Sequence, residues 1–247
     1  MSARGEIERE LLAWMASWRG PALADAGARE ASHAEEGRFQ DLALRLFRFQ
    51  VAHCEPYARF CVARGATPEG VTSWRAIPPV PTGAFKELPL RCFPEADTRA
   101  VFRTSGTSGE RRGELHLDSL AIYEASLWPT LRHLLLPDLP EGGRLRMRVL
   151  APSPHELPDS SLSHMFGALL ARAGDAESGF DLRDGELDVA GLDDALERAC
   201  DAGAPVALLG TAFAFVHWLE RSRGPCALPA GSSSRTSERM PLSGATK

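Results

Sequence analysis

The chain has 247 residues, enough for one large domain or two small ones, and an apolar fraction of 44%, which supports a sizeable core. Its net charge is −5 with no basic stripe or polybasic tail, and this excludes the electrostatic footprint of a nucleic-acid or anionic-membrane binder. No apolar run reaches membrane-spanning length, the N-terminus lacks an apolar signal core, and the five cysteines form no CxxC pair, so a cytoplasmic protein with reduced thiols is expected.

Glu6 to Trp18 places Ile7, Leu11, Leu12, Met15 and Trp18 at helical spacing and predicts a short amphipathic helix, ended by Gly20-Pro21. Ala22 to Gly37 is small, polar and charged, a loop or weak helix, so residues 1–37 read as an N-terminal helix and linker. Arg38 to His53, rich in Leu and Phe, predicts a second helix. Pro56 suits a first turn, so a break is expected near Cys54, followed by a helix through Arg64 that Gly65 closes. Prolines punctuate Trp74 to Pro89, which reads as extended and surface-following.

Val101 to Thr104 and Leu115 to Leu117 are short strand candidates. Asp118 is a suitable N-cap for a helix over Ser119 to Leu136, which Pro137 stops. Arg146 to Ala151 reads as a buried strand and Ser161 to Ala173 as a helix, while Gly179 to Val189 is polar and turn-rich. Leu192 to Ala202 reads as a helix with Asp193, Asp194 and Glu197 on its wet face, Val206 to Leu209 as a strand, and Thr211 to Arg221 as a helix. This alternation predicts an α/β fold with a mostly parallel sheet flanked by helices, behind a helical N-terminal region. Residues 229–247 hold one Met, one Leu and no aromatic residue, and read as disordered.

The chemistry concentrates in Phe102-Arg103-Thr104-Ser105-Gly106-Thr107-Ser108-Gly109-Glu110-Arg111-Arg112-Gly113. Glycines let backbone N–H groups approach an anion, hydroxyls add donors, and arginines add charge, which together suit a phosphate-gripping loop. The same composition also makes an ordinary surface turn. No Gly-Lys-Ser/Thr follows, so it is not a Walker A loop.

The segment resembles the Thr-Ser-Gly-Thr-Thr-Gly-x-x-Lys phosphate loop of adenylate-forming enzymes. From about Arg38 to Pro229 the chain resembles one branch of that superfamily, the acyl-protein synthetase (LuxE-type) family, which activates fatty acids for a luciferase-linked fatty acid reductase. The resemblance is carried by Cys54-Glu55-Pro56-Tyr57, Trp74 with Ile77-Pro78-Pro79-Val80-Pro81, and Phe85-Lys86-Glu87. It continues through Thr104 to Gly109, Pro152-Ser153-Pro154, Ser160-Ser161-Leu162-Ser163-His164-Met165 and Gly210-Thr211-Ala212-Phe213.

The resemblance implies that residues 38–228 are part of an adenylation domain. It implies an acid–thiol ligase that uses ATP and Mg²⁺ to form an acyl-adenylate and passes the acyl group to a protein cysteine, with an acyl-CoA or aldehyde reductase subunit as partner. Thr104, Ser105, Gly106, Thr107, Ser108 and Gly109 would hold the phosphates, and the loop lysine of the family falls at Arg112. The family continues beyond Pro229 with further nucleotide contacts and the acyl-accepting cysteine, so a truncation or frameshift near Ala230 is expected, with 229–247 an aberrant tail.

Other candidates carry two readings each. Lys86, the single lysine before Lys247, is a pocket residue or an ordinary exposed lysine; His164 faces an adenylate pocket or caps and packs. Cys54, Cys61 and Cys200 read as small core residues, and Cys92 either as a thiol whose pKa its neighbour Arg91 lowers or, the favoured reading, as an ordinary surface thiol. Cys226 does not match the acyl acceptor, and His116 and His217 read as structural. No His, Asp or Glu cluster has metal-ligand spacing, and no Gly-x-Ser-x-Gly elbow is present. Three functions follow in order: the ligase, a non-catalytic fragment that at most binds a nucleotide or partner, and a phosphate-binding module with kinase-like chemistry.

Overall fold

The computed structural model describes residues 2–18, 26–104, 111–224 and 232–236. The protein is mixed α/β, and the chain divides into two compact units, Met1–His133 and Leu134–Lys247. Among the described residues no helix is long and apolar enough to cross a membrane.

The first unit opens with α1 (Ala3–Ser17), whose first turn is capped by Ser2 Oγ accepting from the Gly5 N–H. Next comes α2 (Ala26–His53), which begins twelve residues before Arg38, so the stretch read as a loop or weak helix is helical from Ala26 onward. Local composition there is a weak guide because propensity is only a prior that tertiary context overrides. Cys54 ends α2 and precedes α3 (Glu55–Val62), which carries Pro56 in its first turn. Gly65 takes the left-handed conformation beyond α3 at φ 66°.

Phe47, Tyr57, Cys61 and Val71 form the buried centre of this unit, with Ile77, Val80 and Leu90 packed against it. The Tyr57 hydroxyl donates to the Pro78 carbonyl at 3.1 Å, tying the proline-rich segment to α3. That segment is extended apart from a 3₁₀ turn at Trp74–Ala76 and the one-turn helix α4 (Ala84–Glu87).

Strands β1 (Ala100–Arg103) and β2 (Glu114–Leu117) pair antiparallel, Arg103 opposite Glu114. They form a separate two-stranded ribbon and do not join the parallel sheet. The glycine-rich segment therefore joins two paired strands, one on each side as the sequence predicted, and this pair lies outside the parallel sheet. The helix after the hairpin is α5 (Ala121–Leu135). Asp118 does not cap it but pairs with Arg4, and Ser119 Oγ accepts from the Ala121 N–H.

The second unit is built on a four-stranded parallel sheet. Its strands are β3 (Arg146–Leu150), β4 (Gly179–Phe180), β7 (Val206–Gly210) and β8 (Ser233–Thr236), in the order β4-β3-β7-β8. Every residue of β7 is buried, as expected of a central parallel strand. Val206 and Leu208 pack with Leu192, Leu196 and Ala199 of α7 (Val189–Asp201) and with Phe215 of α8 (Ala212–Arg221). Gly210 is obligatory: a Cβ there would meet Leu150 Cβ at 2.9 Å and its carbonyl oxygen at 3.0 Å.

Before α7, β5 (Leu182–Arg183) and β6 (Glu186–Leu187) form a hairpin across Asp184-Gly185, both at positive φ, the two-residue turn that suits the strand twist. Helix α6 (Ser161–Ala173) starts at Ser160, whose Oγ accepts from the Ser163 N–H.

Two expectations fail in this unit. Asp193 is buried and not on a wet face: its carboxylate accepts from Trp218 Nε1 and the Arg223 N–H, both at 2.9 Å. Residues 233–236 of the predicted disordered tail form an edge strand, because backbone pairing with β7 needs no apolar pattern.

Candidate phosphate-binding site

The glycine-rich segment is closed at its ends by Thr104 and Gly113. The Thr104 N–H donates to the Gly113 carbonyl and the Gly113 N–H donates back to Thr104 Oγ1, both at 2.9 Å. Arg112 Nε donates to the Thr104 carbonyl at 2.8 Å. Thr104 and Arg112, read from sequence as phosphate ligands, thus first serve to shut the neck of a loop. Ser105, Gly106, Thr107, Ser108 and Gly109 lie outside the described residues.

Beside the neck is a polar cleft of about 670 Å³. Its cations are Lys86 on α4, Arg91, Arg103 on β1, Arg111 and Arg112, against Glu87, Glu95 and Glu114. Arg111 pairs with Glu87 at 3.3 Å, Arg103 with Glu114 at 3.0 Å, and Arg91 with Glu95 at 2.7 Å. The Arg103 guanidinium holds the Glu114 carboxyl below the usual range, helped by His116. The Arg111–Glu87 and Arg103–Glu114 pairs are exposed, so each contributes little to stability and an anion can exchange for a carboxylate at small cost. The net positive charge of the lining suits a polyphosphate.

His116 borders the same cleft, with Nε2 3.4 Å from Glu114 and Nδ1 buried without a hydrogen-bond partner. The sequence reading made it structural. The signal was the alternation Glu114-Leu115-His116-Leu117, which puts both polar residues on one face of β2. His164 lies on α6 in the second unit, half-buried.

Cys54, Cys61 and Cys92 act as packing groups, and Cys226 lies outside the described residues. Cys61 and Cys54 are buried. Cys92 is half-buried against Cys54, and burial pushes its thiol up to about 11, with Arg4 pulling it back only in part. The expected influence of Arg91 is absent, since Arg91 is engaged with Glu95. At neutral pH Cys92 is protonated and a poor nucleophile. Among the described residues no three His, Cys, Asp or Glu side chains gather as a metal site.

No family model, no curated protein and no solved structure matches this chain.

Proposed function

We propose that this chain contains the phosphate-binding part of an adenylate-forming ligase of the acyl-protein synthetase type. In this reading it activates a long-chain fatty acid with ATP to an acyl-adenylate for transfer to a cysteine, in the cytoplasm, beside a reductase subunit. The observation that carries the reading is the hydroxyl- and glycine-rich segment 104–109, closed at Thr104 and Gly113 next to a cleft that includes Lys86, Arg103, Arg111 and Arg112.

The donor set fits ATP by charge. Lys86 and the three arginines would hold phosphate oxygens, and bound ATP supplies an electrophilic phosphorus. Mg²⁺ would be held mainly by phosphate oxygens and water, as is usual for that ion, so the lack of a carboxylate cluster is compatible with it. The residues themselves orient the phosphates and offset the charge that develops on their oxygens; such positioning supplies most of the acceleration in phosphoryl chemistry.

The test is ATP–pyrophosphate exchange driven by tetradecanoic acid. Exchange should appear with the acid and fall roughly a hundredfold in Arg112→Ala, in line with loss of one preorganised donor. Acid-independent exchange, or rates unchanged in Arg112→Ala, would remove the reading.

A second reading, a non-catalytic fragment that binds at most a nucleotide or a partner, draws on α8. Phe213 is 85% exposed and Leu219 61%, an apolar face of the kind an incomplete domain leaves uncovered. It expects strong binding of an apolar dye and no exchange.

A further inference from the structure

Cys54 and Cys92 are distant in the chain and adjacent in the fold. Cys54 stands between α2 and α3 and is 4% exposed. Cys92 follows the proline-rich segment, is half-buried, and packs against the cluster that contains Cys54. Both border a cavity of about 320 Å³ whose walls include Tyr57, Pro78 and Leu90. The Cys92 S–H donates to the Cys54 sulfur. Cys61, in the same cluster, is fully buried with its sulfur against the Tyr57 hydroxyl. Apolar packing accounts for each cysteine singly, since any small hydrophobe would serve. It does not account for two thiols from separate segments that meet sulfur to sulfur, which is the arrangement a disulfide needs.

We propose that Cys54 and Cys92 form a reversible disulfide in response to hydrogen peroxide, with Cys92 as the attacking thiol and Cys54 as the resolving one. Exposure sets the order, because Cys92 is open in part and Cys54 is not. The Cys92 thiolate attacks one peroxide oxygen. The O–O bond breaks, the departing hydroxide takes up a proton and leaves as water, and Cys92 becomes a sulfenic acid. The Cys54 sulfur then attacks the Cys92 sulfur. An S–S bond forms, the S–O bond breaks, and a second water leaves with the Cys54 proton. Two thiols are oxidised to one disulfide and one peroxide is reduced to two waters. A dithiol returns the two electrons by exchange.

The surroundings of Cys92 set a threshold on the first step. Burial and Cys54 push its thiol up to about 11, Asp118 adds to the rise, and Arg4 of α1 opposes it. Arg4 is itself held by Asp118 and Glu8. The thiolate is therefore scarce near neutral pH, and the pair stays reduced unless peroxide is sustained. Leu88, Pro89 and Arg91, from the same segment as Cys92, line the cationic cleft. The crosslink anchors that wall to the corner between α2 and α3, whatever the cleft binds.

The test treats the full chain with hydrogen peroxide at about pH 8.5, blocks remaining thiols and maps the peptides. A Cys54–Cys92 linked peptide should appear and vanish with dithiothreitol. The oxidised protein should melt about 5 °C or more higher, and amide exchange over 88–93 should slow. The rate of linkage should keep climbing about tenfold per pH unit between about pH 7.5 and pH 10, where an ordinary thiol levels off near pH 9. Arg4→Gln should slow it by about threefold, because the thiolate loses its nearby cation. In Cys54→Ser, Cys92 should proceed to sulfinic acid for want of a resolving thiol.

Oxidation of Cys92 to sulfinic acid with no linked peptide in the unsubstituted protein overturns the proposal. So does linkage that joins other cysteines or two chains, and so does a rate that levels off near pH 9. Mapping of the unsubstituted protein decides the matter even where a variant fails to fold.

Discussion

The two units of the protein handle polar groups in opposite ways. In the first, charged side chains cluster at the surface of a cleft, and each ion pair there is exposed enough to exchange partners. In the second, the charges that matter are buried and committed. Asp181 is 2% exposed and takes a two-pronged contact from Arg148, whose Nε lies 3.0 Å from Oδ2. Asp193 is held by Trp218 and the Arg223 N–H. The first unit has an apolar groove beside its core, and the second has a fully buried strand at its centre. Exchangeable charges and open volume are what a binding site requires and a stable core excludes.

The sharpest way to break this contrast is Arg148→Ala. It leaves the Asp181 carboxylate buried without its partner and should cost about 3–5 kcal/mol in urea denaturation. Burial already raises the Asp181 pKa above the ordinary value despite Arg148. An acid whose folded pKa is raised destabilises the fold when ionised, and that penalty fades as pH falls through the folded value. The deficit of Arg148→Ala should therefore shrink as the pH is lowered from neutrality. A deficit independent of pH would mean that Asp181 is not the source.

A second comparison uses glycine. Gly210→Ala forces a Cβ against the Leu150 backbone and side chain and should cost about 2 kcal/mol. Gly83→Ala, in the first unit, meets nothing within 4 Å and sits at φ −60°, so it should be neutral or stabilising by about 0.5 kcal/mol. Equal losses at the two sites would erase the packing difference between the units.

The smallest effect is expected at the loop neck. Thr104→Ala removes the acceptor of the Gly113 N–H and should cost about 1 kcal/mol, with Thr104→Ser restoring most of it. Nucleotide binding should fall more than stability does, because an open neck no longer holds the loop ends together. Titration of the two variants with ATP at equal folded fraction distinguishes the two losses.

Much of the element order was legible along the chain, because period and punctuation are local. Ser161 to Ala173 and Val206 to Leu209 carried their patterns within a dozen residues, and the caps at Ser160 and Thr211 lie beside the turns they close. The candidate site was legible only in part. Segment 104–109 announced itself by composition, and Lys86 by its rarity. The contributions of Arg103, Glu114 and His116 were not visible, because they depend on which face of a strand meets which loop.

The sequence by itself determined the type and order of most helices and strands, which segment concentrates glycines, hydroxyls and arginines, and the wide spacing of the cysteines. Tertiary structure decided that β1 and β2 pair with each other and not with the parallel sheet, that Asp193 is buried, and that Cys92 is a packed, protonated thiol. The division has one physical cause. Backbone preference is a property of a few consecutive residues, whereas strand pairing, burial and pKa depend on groups that are distant in the chain and adjacent only after folding.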